Sequence, residues 1–437
     1  MGAEVSENNV NTITSKRTVL SAEGRNIKFS WPDISEEEIN EVVDTLRSGW
    51  ITTGPKTKAF EKEIAGFVGS PRAVCLNSAT AAEELNLRIL GIGPGDEVIV
   101  PAFTYTATVS AVIHVGAKPV MVDIQAGHFE MDYDAVEQAI TEQTKAIIPV
   151  DLYGIPCDYD RLYKIVEDKR GMFKASNEIQ STIGRVVIVA DAAHAIGAFR
   201  LSSAGLPQDV GLGVKQKMAG ILADFTSFSF HAVKNITSAE GGAAVWKSIP
   251  GISDDELYHQ YMLYSLHGQS KDALSKNKDG GWEYDVLGPW YKCNMTDILS
   301  SVGMVQLKRY PGMLKERREM IEIYDVAMDA IGVRHLNHYT DEYNSSGHLY
   351  ITRTPWLNEK SRNETIVRLA ERGIPCNVHY KPLPLMTAYI KLGFKIEDYP
   401  NAYDYYKNLI TLPLHTLLSD DVECIIENFR DVVERYR

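Results

Sequence analysis

The sequence predicts an α/β protein built on a mostly parallel sheet, with a smaller α+β domain at its C-terminal end. Three observations carry that reading. Short apolar runs alternate with helical stretches from about residue 73 onward. Most of those runs are near-continuously apolar, as strands covered on both faces must be. After about residue 315, long amphipathic helices flank short strands instead. The expected division is a disordered or partner-packed tail over 1–26, a large α/β domain over 27–314 and a small α+β domain over 315–437.

Each element has a local cause. Ser35-Glu36-Glu37-Glu38 is a capping box, and Ile39, Val42, Val43 and Leu46 follow at helical spacing. Gly49 to Pro55 then forms a glycine-bounded loop, with a second helix beginning near Lys58. Strands are expected at 98–100, 119–122, 146–150, 186–190 and 225–230. Later helices are expected around 297–331, 361–371 and 420–436, beside a strand at 348–352. In such a fold, ligands collect at the carboxyl ends of the strands.

Composition narrows the function. The 437 residues are 44% hydrophobic and 24% charged, with a formal net charge of −13, which argues against nonspecific nucleic-acid binding and anionic membranes. Cys75, Cys157, Cys293, Cys376 and Cys424 are scattered without a C-x-x-C pair, giving no pattern for a disulfide or a metal site. No apolar run reaches the ~18 residues of a membrane span, and the polar N-terminus lacks a signal-peptide core. A reduced, cytoplasmic protein is expected.

The chemistry rests on a lysine and an aspartate. The apolar run 186–190 ends in Asp191-Ala192-Ala193-His194. Lys234 follows Ser227-Phe228-Ser229-Phe230-His231 and precedes Glu240-Gly241-Gly242. Taken singly, a lysine is usually a solvated charge and an aspartate after a strand a turn cap. Paired at two strand ends, they supply what pyridoxal phosphate chemistry needs. The amine forms a Schiff base with the cofactor, and the carboxylate keeps the pyridine nitrogen protonated so that the ring accepts electrons.

Other residues fit around that pair. Asn77-Ser78-Ala79-Thr80 precedes a helical stretch, so its backbone N–H groups and hydroxyls can cradle a phosphate, where alone they would read as an ordinary N-cap. Ser229 is a further phosphate donor. Tyr105, flanked by small polar residues, is a better candidate than Phe103 for stacking on the pyridine ring. His194 either contacts the ring's phenolic oxygen or is structural. His379-Tyr380 lies where a second domain reaches over a cleft, or is a surface pair. No H-E-x-x-H, Walker loop, G-x-S-x-G or G-x-G-x-x-G motif is present.

Together these residues resemble the DegT/StrS family of pyridoxal-phosphate nucleotide-sugar aminotransferases, from about Ile27 to the C-terminus. The resemblance is carried by Ser48 to Pro55, Asn77 to Thr80, Gly93-Pro94-Gly95-Asp96-Glu97-Val98-Ile99-Val100-Pro101, Asp191 to Ala195 and Ser229-Phe230-His231 with Lys234. Glu240-Gly241-Gly242, Tyr291 to Ile298 and Val378-His379-Tyr380 complete it. It implies the aspartate-aminotransferase-like (type I) fold, and a homodimer with active sites at the subunit boundary. Lys234 would carry the cofactor and Asp191 would face its ring nitrogen. Ser78, Ala79, Thr80 and Ser229 would hold the phosphate, with Asn294 reaching it from the neighbouring subunit. Tyr105 would lie over the ring, with His194 beside it. Trp50, Thr52, Thr53, Gly54, His231, His379 and Tyr380 would line the pocket for a nucleotide-linked sugar. The motif wording is closest to members that aminate C4 of a UDP-linked 4-keto sugar with glutamate as donor, for surface glycans or a natural product.

Two insertions, around 168–184 and 206–220, depart from the family pattern and are expected to lie near active-site elements. His194 stands where many relatives have glutamine. Two other readings compete. One is a nucleotide-sugar deoxygenase, whose relatives place histidine at the Schiff-base position, against Lys234 here. The other is a regulatory homologue without turnover.

Overall fold

Nine strands occupy the first part of the chain in the computed structural model, which describes residues 25, 27–202, 215–271, 283–418 and 420–437. They are β1 (Ala73–Leu76), β2 (Glu97–Pro101), β3 (Lys118–Val122), β4 (Thr144–Ile147), β5 (Val187–Asp191), β6 (Phe199–Ser202), β7 (Lys215–Met218), β8 (Phe225–Ser229) and β9 (Gly242–Trp246). Seven of them form the central sheet in the order β1-β9-β8-β5-β4-β2-β3. Pairing is parallel from β8 through β5, β4 and β2 to β3, while β9 runs antiparallel to both its neighbours. The register sets Asp191 opposite Ser227, and both Ser229 and Leu76 opposite Gly242. The carboxyl ends of β1, β5 and β8 therefore meet at one place.

Helices cover the sheet. Glu36–Ser48 has the expected capping box and stops at Gly49, in the left-handed region at φ 77°. The next helix starts at Pro55, earlier than expected, because proline suits the first helical position. Strand β4 ends at Ile147 although the apolar run continues, since Pro149 has no N–H to donate to a ladder.

The later part of the chain adds β10 (Arg334–His335), β11 (Tyr343–Asn344), β12 (Tyr350–Arg353) and β13 (Leu409–Leu412). Strands β10, β12 and β13 make a three-stranded sheet, and β11 joins β6 and β7 in another. Helices Glu359–Glu371 and Val422–Glu434 pack with Tyr350, Ile410 and Leu412 in a core of their own. The 35-residue helix Asp297–Ile331 links the layers: Leu307, Tyr310 and Met313 pack under the central sheet, and Met320, Ile321 and Tyr324 belong to the C-terminal core. We propose the domain division as this change of packing partner along one helix.

The insertion at 168–184 lies elsewhere than expected. Asn177 Nδ2 and Gln180 Nε2 donate to the Leu90 carbonyl at 3.0 and 2.8 Å, at the C-terminal end of helix Ala79–Ile89. The strand ends described above meet the opposite end of that helix, roughly 15 Å away at 1.5 Å per residue. Of the second insertion, 206–214 lies outside the described residues, and 215–218 is β7. The tail expected over 1–26 lies outside them too, except Arg25, which pairs with Asp421.

Candidate active site

Gly242 positions the first element of the site. A Cβ there would run into the Ala79 amide nitrogen and the Ser78 carbonyl carbon, so only glycine lets β9 pass this close to the start of helix Ala79–Ile89. Ser78 is the N-cap, its hydroxyl accepting from the Ala81 N–H at 3.1 Å. Its side chain thus serves its own helix. The first-turn N–H groups of Ala79 and Thr80 remain at the helix start, where the dipole favours an anion.

Asp191 ends β5 and is buried. Its Oδ2 accepts from the Thr108 hydroxyl at 2.7 Å and its Oδ1 from the Ala193 N–H at 3.1 Å, which fixes the carboxylate plane. Lys234 sits in the turn after β8, its N–H donating to the His231 carbonyl at 2.9 Å. The next residue locks that turn, Asn235 Nδ2 donating to the Ser346 carbonyl at 2.7 Å. Burial lowers the Lys234 amine to about 8, with the Asp191 charge opposing the shift. Lys234, Asp191, Ala79, Glu83, Tyr105, His194 and Tyr380 line one pocket.

His194 enters that pocket in a defined state. Its Nδ1 lies 3.1 Å from the Tyr153 N–H and its Nε2 3.2 Å from the Tyr380 hydroxyl. Burial, then the Lys234 charge, push it well below the usual histidine range. A neutral ring whose Nδ1 accepts must carry its proton on Nε2. Tyr153 aims its N–H by adopting φ 63°, an uncommon conformation for a bulky residue, and its hydroxyl is tied to the His379 carbonyl at 2.6 Å.

The remaining predicted residues divide by place. Tyr105 is 58% exposed at the pocket, its ring centroid 5.8 Å from that of Tyr380. Ser229 is buried at the end of β8. His379 is not part of that pocket's lining: it stacks on Phe29 and places its Nδ1 3.1 Å from Thr411 Oγ1, and burial, then the Lys234 charge, lower it to about 4. His231 is exposed beside Glu240.

Trp50, Thr52, Thr53, Gly54 and Asn294 form a second cluster. The Trp50 indole donates to the Thr53 carbonyl at 3.2 Å, the Asn294 side chain bonds the Thr53 hydroxyl, and Asp297 N–H donates to the Thr52 carbonyl at 3.1 Å. Asp297, which sequence reasoning missed, organises it. Its carboxylate accepts from the N–H groups of Gly54, Lys56 and Thr57 at 2.7, 3.1 and 2.9 Å and from the Thr57 hydroxyl at 2.7 Å. None of these residues lines the Lys234 pocket of the same chain. Glu83, Thr108, Asp151 and Tyr153 were missed as well. Glu83 had a legible signal: four residues after Ala79, it falls on the same helix face.

Among the described residues no group of three or more His, Cys, Asp or Glu is arranged to hold a metal ion, and no helix is long and apolar enough to cross a membrane. A desolvated amine, a buried carboxylate and a helix start around one pocket fit a phosphorylated aldehyde with a cationic ring nitrogen. Fold and site define a pyridoxal-phosphate-dependent enzyme of the type I fold. The chain belongs to the DegT/DnrJ/EryC1/StrS aminotransferase family, whose model matches residues 32–430.

Relatives agree with that placement. The chain is 38% identical over 416 residues to the spore coat polysaccharide biosynthesis protein SpsC of Bacillus subtilis (strain 168), covering 93% of this chain and 97% of that one. It is 34% identical over 411 residues to the UDP-4-amino-4-deoxy-L-arabinose–oxoglutarate aminotransferase of Shewanella sediminis (strain HAW-EB3), covering 92% and 97%. Among solved structures, the PMP form of the putative sugar aminotransferase Spr1654 from Streptococcus pneumoniae superposes with a TM-score of 0.89 at 56% identity, covering 94% of this chain and all of that one. A PLP form of the same protein gives 0.88 at 55% identity.

Proposed function

We propose that this aminotransferase moves an amino group from glutamate to the keto group of a nucleotide-linked hexose, a UDP-linked 4-keto sugar, in cytoplasmic amino-sugar synthesis for a polysaccharide. The observation that carries the reading is the Lys234 amine and the Asp191 carboxylate lining one pocket beside the start of helix Ala79–Ile89. Bound pyridoxal phosphate supplies an aldehyde that carries nitrogen and a ring that accepts electrons. The chain's residues supply the rest. Lys234, with its amine near 8, is a proton acceptor and donor at neutral pH, and moves the proton between the carbon atoms that exchange nitrogen. Asp191 holds the cationic ring nitrogen. Ala79, Thr80 and Ser229 hold the phosphate at the helix start, with Ser78 shaping that start. His194 would offer its Nε2–H, which here meets the Tyr380 hydroxyl, to the phenolic oxygen, and Tyr105 would cover the ring.

The sugar side is built from two copies. In its own chain Asn294 bonds Thr53 and bridges Leu76 and does not line the Lys234 pocket, which supports its reaching the phosphate of a partner copy's site. Exposed Trp31, Leu46, Ile51, Val286 and Leu287 support burial against a second copy. Trp50, Thr52, Thr53 and Gly54, with His231, His379 and Tyr380, line the nucleotide-sugar pocket. The UDP sugar and oxoglutarate in one relative's name, and the polysaccharide role in another's, support the substrate pair. Lys234 opposes the deoxygenase reading.

Incubating the enzyme with glutamate and UDP-, dTDP- or GDP-linked 4-keto sugars, followed by mass analysis, tests this. Amination of the UDP sugar with matching release of 2-oxoglutarate is expected. Amination of only a non-sugar ketone would overturn it.

A further inference from the structure

Glu83 is the one residue of the pocket lining whose carboxylate oxygens are both shut off from solvent and both without a hydrogen-bond partner among the described residues. The residue is 1% exposed, one helical turn inside the start of helix Ala79–Ile89, and its immediate charged neighbour is Asp191. A buried ionised carboxylate needs a cation or several donors, and among the described residues no donor meets Glu83. Two carboxyls in contact hold one negative charge far more readily than two.

Asp191 has room for such a neighbour. An ionised carboxylate offers about four acceptor positions. The Thr108 hydroxyl and the Ala193 N–H take one on each oxygen, leaving two. One suits a ring nitrogen entering from the pocket. We infer that Glu83 is carried as a neutral carboxylic acid that donates its proton to Asp191, making it a positioning residue that sets the orientation and basicity of the carboxylate. Burial and the Asp191 charge raise the Glu83 carboxyl well above the usual carboxylate range, in the same direction. Lys234, His194, Tyr380, Tyr105 and Asp151 also face this pocket. Asp151 has an unpartnered oxygen of its own and is raised to about 7, so only a difference between variants isolates Glu83.

The cofactor-free protein tests the inference without reliance on the proposed reaction. In infrared difference spectra at pH 7.5 (roughly three units above an ordinary glutamate), Glu83→Gln is expected to lose one protonated-carboxyl C=O band relative to wild type. Loss of a carboxylate band instead would overturn the inference. The spectral arm on the holoenzyme rests on the proposed role of Asp191. There Glu83→Gln, which keeps a neutral donor, leaves the pH midpoint of the cofactor's visible absorbance in place. Glu83→Leu makes Asp191 a stronger acceptor and raises that midpoint by about one pH unit, the scale of one hydrogen bond to a charged group. Equal midpoints in all three proteins would overturn the positioning role. No visible cofactor band in any of them would instead count against the proposed function, with the infrared result standing alone. If Glu83→Leu fails to fold, Glu83→Gln and the infrared arm decide.

Discussion

The helix starts at Pro55 and at Ala79 use the same device in opposite ways. At Pro55 the exposed N–H groups are closed by an internal carboxylate, Asp297, which binds Gly54, Lys56 and Thr57. At Ala79 the N-cap is a neutral hydroxyl, and among the described residues no carboxylate stoppers the turn. The surroundings differ in the same sense. Around Pro55 the polar groups are paired with one another, from Trp50 to Asn294. Around Ala79 the oxygens of Glu83 and Asp151 Oδ2 are buried without partners among the described residues, and burial lowers the pKa of both Lys234 and His194. A helix start filled from within is scaffold; one left open beside mismatched polar groups is prepared for a ligand.

The strongest attempt to break this contrast removes the amine. Lys234→Ala is expected to lower turnover by ~10³-fold or more and to abolish the visible absorbance of lysine-bound cofactor, with folded-state circular dichroism unchanged. A yellow, active variant would end the assignment of chemistry to this pocket. The next effect falls on the other helix start. Asp297→Ala leaves several buried N–H groups without an acceptor, so a loss of about 2–3 kcal/mol in urea denaturation of the cofactor-free protein is expected. Lys234→Ala should show no such loss. Equal stability of wild type and Asp297→Ala would mean that water closes the Pro55 end as well as the carboxylate does.

Much of the pocket was legible because its signals are local. A continuous apolar run ending in Asp191 reads as a covered strand with an acid at its mouth. Lys234 stands between an aromatic strand and a glycine pair whose second member is required by a backbone approach. The hidden residues are those whose roles depend on distant partners. Asp297 meets Gly54 across 243 positions, and nothing near either residue announces it. Thr108 reads as an ordinary helical threonine until β5 brings Asp191 against it. The insertion at 168–184 precedes β5 in sequence, which suggested proximity to Asp191. A strand has two ends, and this insertion joins the fold at the amino end. Position along the chain cannot distinguish them.

A subtler test asks whether the pocket's displacement of Lys234 costs stability. The amine titrates near 8 in the folded chain against an ordinary 10.5, so between those values the unfolded chain binds more protons. Stability of the cofactor-free protein therefore rises with pH across that window, and the full penalty applies below it. Lys234→Met removes the penalty. It is expected to stabilise the cofactor-free protein at pH 7 on the order of 1 kcal/mol, allowing for solvent at the pocket mouth, with the gain shrinking toward pH 10. A gain that stays constant with pH would reflect packing of the methionine and not the amine's charge.

The smallest expected effect separates the far end of helix Ala79–Ile89 from its start. Gln180→Ala deletes one of the two side-chain donors to the Leu90 carbonyl, while Asn177 keeps the other. The carbonyl is not orphaned, and the exposed Ser176 N–H that donates to Gln180 Oε1 at 2.9 Å passes to water, so the loss is that of two neutral hydrogen bonds partly made good by solvent, about 1 kcal/mol in urea denaturation. Turnover and KM for the keto sugar should match wild type, because nothing in the pocket touches this end. If KM for the sugar rises while stability falls by no more than that, strain at Leu90 is reaching the Ala79 end through the helix. The insertion would then belong to the site after all, and the scaffold would extend the length of that helix.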